Sequence, residues 1–348
     1  MITAASSIEK QVKEFCAQIG ANPLLVQGAG GNVSWKNGSV MWVKASGTWL
    51  AEAESKEIFV PVNLTHLQDA LAKQDFSVKP EMASSSSLRP SIETLLHALM
   101  PHKVVAHFHA VEMLVYLVQV DGRQIIKSLV ADSVKWIYVD YFKPGVDLAR
   151  AVSEELANRP DADVVFMGNH GVVIGGRSVD EVFATLHTLT FKLTTQRSLP
   201  VPEPDTAKRQ SDLFARGYIP CVDKDVGLLA LNDELINRLR HEWALYPDHV
   251  VFLGAKPAIF EAKSSKLALD EIVRNKPPFI FSCSDGVYEN LAATPTQKSQ
   301  LRCYFDVVSR LSSQAKLTTL SDMQVSELLD WDAEKYRQSS TNNKQVAE

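Results

Sequence analysis

"VVAHFHA", residues 104–110, is a run of small and β-branched apolar residues that carries two histidines. Its length and valine content suit a short buried strand. Side chains two apart in a strand project to one face, so His107 and His109 would stand side by side. Neutral imidazoles suit Zn²⁺, and a catalytic zinc takes three protein ligands and keeps one position open. His170 in "MGNHGVV" is the candidate for the third ligand, because it lies where a strand pauses among glycines. On spacing alone the alternative stays open: two histidines hydrogen-bonded inside a half-buried sheet.

Working outward, elements with sharp punctuation flank this strand. Upstream, "RPSIETLLHALMP" (89–101) reads as a helix that starts near Pro90 and stops at Pro101. Ile92, Leu95, Leu96, Leu99 and Met100 form its apolar stripe, and Glu93 and His97 share the opposite face at i, i+4. Further upstream, "QGAGGNVSWKNGSVMWVKASG" (27–47) reads as two strands around the Asn37-Gly38 turn. Residues 6–19 are an amphipathic helix with Ile8, Val12, Phe15 and Ile19 at helical spacing.

Downstream, a helix is expected over 111–119, an exposed strand and turn in 131–145, and a helix over 147–158. "ADVVFMGNHGVVIGG" (162–176) reads as two strands broken at Gly168–Gly171. A long helix follows over 178–198, capped by Ser178 with Glu181 three residues on. Residues 201–208, inside a proline-rich stretch, read as a linker. Residues 209–338 alternate helical and strand-like pieces, "HVVFLG" among the latter, and form a small α/β C-terminal domain. The polar tail 339–348 reads as disordered. The fold class is therefore α/β, a three-layer α+β arrangement with a central mainly antiparallel sheet flanked by helices over residues 1–200.

The composition fits that plan. The chain has 348 residues, 45% hydrophobic and 22% charged, with a formal net charge of −5. No Lys/Arg block stands out, which points away from nucleic acid. The four cysteines are scattered without a CxxC pair, as expected of reduced thiols in a cytoplasmic protein. The N-terminus lacks the apolar core of a signal peptide. The longest apolar stretch, 104–120, is broken by His107, His109 and Glu112, so no membrane span is expected.

Six segments, "GAGGNVSWKNG", "VKASGTWL", "RPSIETLLHALMP", "AHFHA", "YFKPGVDLA" and "MGNHGVVIGG", occur in the order found in the class II aldolase/adducin family. The chain resembles that family over roughly residues 8–198, and most resembles the aldolase part of rhamnulose-1-phosphate aldolase/dehydrogenase fusion proteins. The resemblance implies zinc, or another divalent metal, on His107, His109 and His170, with Glu93 as the catalytic acid/base. By similarity, Asn32, Ser46, Gly47 and Ser91 hold a substrate phosphate, while Lys44 and Arg89 are chemically plausible additions.

The implied activity is cleavage of a ketose 1-phosphate to dihydroxyacetone phosphate and an aldehyde. Zinc stabilises the enediolate charge and a carboxylate moves the protons. Epimerisation at C4, decarboxylation or dehydration on the same metal are the alternatives, followed by an adducin-like scaffold without catalysis. The family's fuculose enzyme has two serines before the glutamate, whereas this chain has Ser91-Ile92, which weakens the phosphate assignment. The resemblance also implies a homo-oligomer, with a tetramer favoured, and a small-molecule sugar phosphate as partner. Tyr138 and Tyr141 lie where family members place residues near the site, with aromatic strand packing as the equal alternative. "GAGGN" heads into a hairpin, not a helix, so it is not read as a dinucleotide loop. Asp248 and His249 read as structural.

Overall fold

The computed structural model describes residues 2–197, 211–261, 265–332 and Lys335. The expected linker at 201–208 and tail at 339–348 lie outside the described residues. The chain divides into two units, Met1–Thr194 with Trp331–Glu348, and Thr195–Asp330.

The first unit is built on seven strands. These are β1 (Asn32–Asn37), β2 (Val40–Lys44), β3 (Phe59–Asn63), β4 (Val104–Phe108), β5 (Trp136–Val139), β6 (Val164–Met167) and β7 (Gly171–Gly176). They run in the order β3-β2-β1-β4-β7-β6-β5. Every pairing is antiparallel except β5 with β6. Among the described residues the unit's α-helices are α1 (Ile2–Gly20), α2 (Leu64–Ala72), α3 (Thr94–Leu99), α4 (Val111–Leu117), α5 (Gly122–Val130), α6 (Val146–Asn158) and α7 (Val179–Leu193).

Side-chain alternation in the strands sorts the helices into two layers. Val104, Ala106 and Phe108 of β4, with Val172 and Ile174 of β7, pack with α1, α4 and α7 residues such as Phe15, Met113 and Leu189. The opposite face carries Val105 and Val173 against Leu96 of α3 and Leu148 and Val152 of α6. The result is the expected three-layer architecture with a mainly antiparallel sheet. His107 shares the α3 side of β4 with Val105, because the two residues are two apart.

Several local expectations are corrected. α3 begins at Thr94, not at Pro90, because Pro90 bridges Ala45 in extended conformation. Glu93 and His97 are both buried, not on an outer face, because α3 is covered on every side. β5 is buried at Ile137, Tyr138 and Val139, where an exposed strand was expected. The helix expected over 178–198 ends at Leu193. Among the described residues no helix is long and apolar enough to cross a membrane.

The second unit has the strands β8 (Tyr218–Pro220), β9 (Ile259–Phe260), β10 (Phe279–Ser282) and β11 (Gly286–Asn290), in the order β8-β11-β10-β9. Its helices are α8 (Ser211–Phe214), α9 (Lys224–Leu231), α10 (Asp233–His241), α11 (Pro247–Leu253), α12 (Lys266–Arg274), α13 (Pro295–Val308) and α14 (Asp322–Leu329). "HVVFLG" is thus a helix and not a strand, opened by Pro247 in its first turn. Asp248 and His249 are buried together on it.

His249 is fully buried among Trp243, Tyr246 and Tyr304. Burial pushes it down to about 3, against about 6.5 in an unfolded chain. The unfolded state therefore binds a proton between these values that the folded state refuses. Stability contributed by the neutral ring is complete above pH 6.5 and falls by about 1.4 kcal/mol per pH unit below it. Urea unfolding of the second unit is expected to weaken by about 2 kcal/mol from pH 6.5 to 5 on this account. His249→Phe should flatten that slope, and an unchanged slope would assign the acid sensitivity elsewhere.

Candidate metal centre and active site

The three histidines of the sequence pattern come together at one end of the sheet. His107 lies in β4, His109 one residue beyond it, and His170 immediately before β7, the neighbour of β4. The β6–β7 connection is tight, with Met167 paired to Gly171 and the His170 N–H donating to the Met167 carbonyl at 3.2 Å. Asn169 makes this turn in the left-handed region at φ 51°, a conformation asparagine tolerates better than most residues. Its N–H donates to the Leu117 carbonyl at 2.9 Å, which ties the turn to α4.

One donor nitrogen from each of His107, His109 and His170 lies within 4.8 Å of the others, and all three rings are buried. The Nε2 atoms of His107 and His109 are 2.8 Å apart. Three converging, buried imidazoles are a donor set that could hold a divalent metal ion.

Gly171 is what lets the rings converge. A Cβ there would meet the Phe108 carbonyl oxygen at 2.4 Å, and His107 Cε1 and His109 Cδ2 at 3.2 Å. The carbonyl belongs to a central strand and cannot step aside. Gly171→Ala is expected to cost about 1–3 kcal/mol in urea unfolding and to weaken metal binding with it. Normal stability and metal uptake in that variant would show that the strands yield.

Glu93 approaches the same centre from α3. Its Oε1 is 3.3 Å from His170 Nε2 and 3.8 Å from His107 Nε2. It stands at the N-cap of α3, where its N–H donates to Ser91 Oγ at 3.2 Å. Ser91 therefore supports Glu93 locally. It does not sit at a free helix N-terminus, as the expected helix start implied.

Two polar side chains on the α3 face of β1 fix the helix. His97 Nδ1 is 2.8 Å from Ser34 Oγ, and Lys36 Nζ donates to the Met100 carbonyl. Burial, helped by Lys36 and Lys44, pushes His97 down to about 3, so the ring is neutral. Burial likewise lowers Lys36 to about 8. Asn32 follows the same alternation one step closer to the centre, opposite His107 in register. The sequence reading missed this brace, although Asn32, Ser34 and Lys36 at period two were its visible signal.

The segments bearing Asn32, Ser46, Gly47 and Ser91 also converge. The buried Lys44 ammonium donates to the Ala29 carbonyl at 3.1 Å and the Thr48 carbonyl at 2.7 Å. The Ser46 N–H donates to the Arg89 carbonyl at 2.9 Å. Gly47 turns at φ 75°, which any side chain would resist. Lys44 is thus a strut between two loops, while Arg89 is exposed. Tyr138 is buried within the core on the α4 side, and burial pushes its hydroxyl up to about 12. Its ring packs against the residues of that core.

Residues 10–197 match the family model described as the class II aldolase and adducin N-terminal domain. The chain belongs to the class II aldolase and adducin family. Within it, the chain is 31% identical over 199 residues to the uncharacterized oxidoreductase YuxG of Bacillus subtilis, across 51% of this chain and 28% of that protein. It therefore spans little more than a quarter of that relative. It is 24% identical over 192 residues to the L-fuculose phosphate aldolase of Methanocaldococcus jannaschii, across 52% of this chain and 91% of the other. Among solved structures, the N-terminal class II aldolase domain of a conserved Thermoplasma acidophilum protein is similar. It shows 24% identity and a TM-score of 0.44, over 53% of this chain and 90% of that one.

Proposed function

We propose that the chain is a metal-dependent class II aldolase that cleaves a ketose 1-phosphate to dihydroxyacetone phosphate and an aldehyde. The observation that carries this reading is the buried Glu93 carboxylate, 3.3 Å from His170 Nε2, beside a three-histidine set able to hold a cation. The set fits Zn²⁺, held by His107, His109 and His170. When bound, the cation supplies Lewis-acid stabilisation for the negative charge that develops on the substrate's carbonyl oxygen.

Glu93 does the proton work in this reading. It takes the proton from the C4 hydroxyl as the C3–C4 bond breaks, and the C4 fragment leaves as the aldehyde. The electron pair stays on C3 and spreads to the C2 oxygen. Glu93 then returns its proton to C3 and closes the cycle. Its burial keeps water from competing for that proton. Asn32, Ser46, Gly47 and Ser91 are the proposed phosphate contacts, supported by the convergence of their segments near the centre. We also read the chain as a homo-oligomer, which light scattering tests.

A screen of ketose 1-phosphates tests the function, with released dihydroxyacetone phosphate followed by coupled reduction. Cleavage of at least one sugar phosphate, lost in Glu93→Gln and His109→Ala, is the expected outcome. Bound zinc with no cleavage of any member would overturn the aldolase reading in favour of epimerisation, decarboxylation or dehydration. Unphosphorylated ketoses belong in the same screen, because Ile92 next to Ser91 offers no side-chain hydrogen bond.

A further inference from the structure

At the open edge of the large sheet, beside β5, lies a cavity of about 280 Å³. Three cations line it: Arg123 and Lys127 from α5, and Arg159 just beyond α6. The only carboxylate in its lining is that of Glu155. Among the described residues none of the three cations has an ion-pair partner. Arg123 and Lys127 are four residues apart on one helix, and like charges at that spacing repel. Arg159 adds a third positive charge to the same cleft, in a chain whose net charge is −5. Three cations against the one carboxylate of Glu155 leave the lining net positive, and such a cluster is stabilised when an anion enters it.

The two exposed guanidinium groups each have one contact beside the cleft before any ligand arrives. Arg123 lies over the Tyr138 ring, its Cζ 5.5 Å from the centroid. Arg159 Nη1 donates to the Trp136 carbonyl at 3.2 Å. Each keeps further N–H groups to offer, because a guanidinium carries five. The backbone adds one more donor. The carbonyls of Lys135 and Val139 accept bonds from Val164 and Gly168 on the β6 side. By strand alternation the Tyr138 N–H therefore faces the open edge. Guanidinium pairs with a backbone N–H match the geometry of tetrahedral oxyanions.

We propose that this edge cleft is a second ligand site, separate from the histidine centre, that binds a phosphate dianion, either free or as a small phosphate monoester. The site does not depend on the proposed aldolase activity. Its walls suit a small ligand: the cations reach the phosphate, and the half-buried Trp136 ring flanks them.

The test uses the full-length protein at constant ionic strength, titrated with inorganic phosphate and separately with glycerol 2-phosphate. Binding is followed by the arginine side-chain N–H resonances, assigned through Arg123→Lys and Arg159→Lys. Saturable shifts of both arginines are expected, with a dissociation constant on the order of 1 mM. Arg123→Gln with Arg159→Gln should weaken binding at least about tenfold, the loss of charge-assisted hydrogen bonds. The exposed Arg150→Gln, on α6 but outside the cleft, should leave it unchanged. Comparing the two probes separates free phosphate from monoester as the preferred source. Three results overturn the proposal: no saturation, equal shifts with chloride, or shifts confined to residues around the histidine centre. The double variant binding as wild type would do the same.

Discussion

Glu93→Gln is expected to lower kcat by about 10²–10⁴-fold, the usual worth of a positioned acid/base, with metal content unchanged. Glutamine keeps the shape of the side chain and can still hydrogen-bond to the nearby imidazoles. What it loses is the ability to accept and return a proton. Glu93 lies at the start of α3, and α3 is braced through His97 to Ser34 and through Met100 to Lys36, so the backbone has no reason to move. The loss should therefore fall on kcat with little change in KM. Steady-state kinetics with metal analysis on the same preparation decides it. Wild-type turnover in Glu93→Gln would remove Glu93 from the chemistry. A simultaneous loss of metal would make it a structural partner of the histidines instead.

His109→Ala removes one of the three converging imidazoles, and its expected effect is of the same order. Disturbing a residue that merely supports a ligand weakens metal binding by about 10–100-fold, and deleting a ligand should exceed that. Wild-type protein stripped by chelator should lose activity and regain it with Zn²⁺. His109→Ala should stay inactive under the same treatment. Stability provides a readout independent of turnover. Metal at one hundred times its dissociation constant adds about 2.7 kcal/mol to folding, so thermal unfolding of the wild type should shift on metal addition while that of the variant should not. An equal shift in both would place the cation elsewhere.

The parts of this site legible in the sequence were those with a strict period. His107 and His109 at i, i+2 within valines and alanines identified both a strand and a shared face, and the paused glycines around His170 marked the turn that presents it. α3 was harder to read. A helical wheel over 89–101 assigns an outer face to Glu93 and His97, but α3 is six residues long and enclosed between the sheet and its neighbours, so it has no outer face. Ser34 and Lys36 carry no signal of their own beyond polar residues at period two in a strand. Both face a second helical layer, where Ser34 meets His97 and Lys36 meets the Met100 carbonyl. α11 was misread because its run of β-branched residues suits a strand, and burial on all sides lets a short helix carry the same residues. Pro247 ahead of that run was the usable signal. Where periodicity is set by one interface the sequence is readable; where two layers claim the same residues, tertiary packing decides.

The two neighbouring strands that carry the histidines have one more implication, and it concerns descent. The donors stand in and directly at the ends of two central strands, where Phe108 pairs with Val172. The proposed phosphate contacts lie outside them, in loops and strand ends such as 28–32, 45–48 and 89–92. Loops accept substitution and insertion far more readily than central strands. A lineage built on this plan can therefore exchange the molecule it acts upon while inheriting its reactive centre intact.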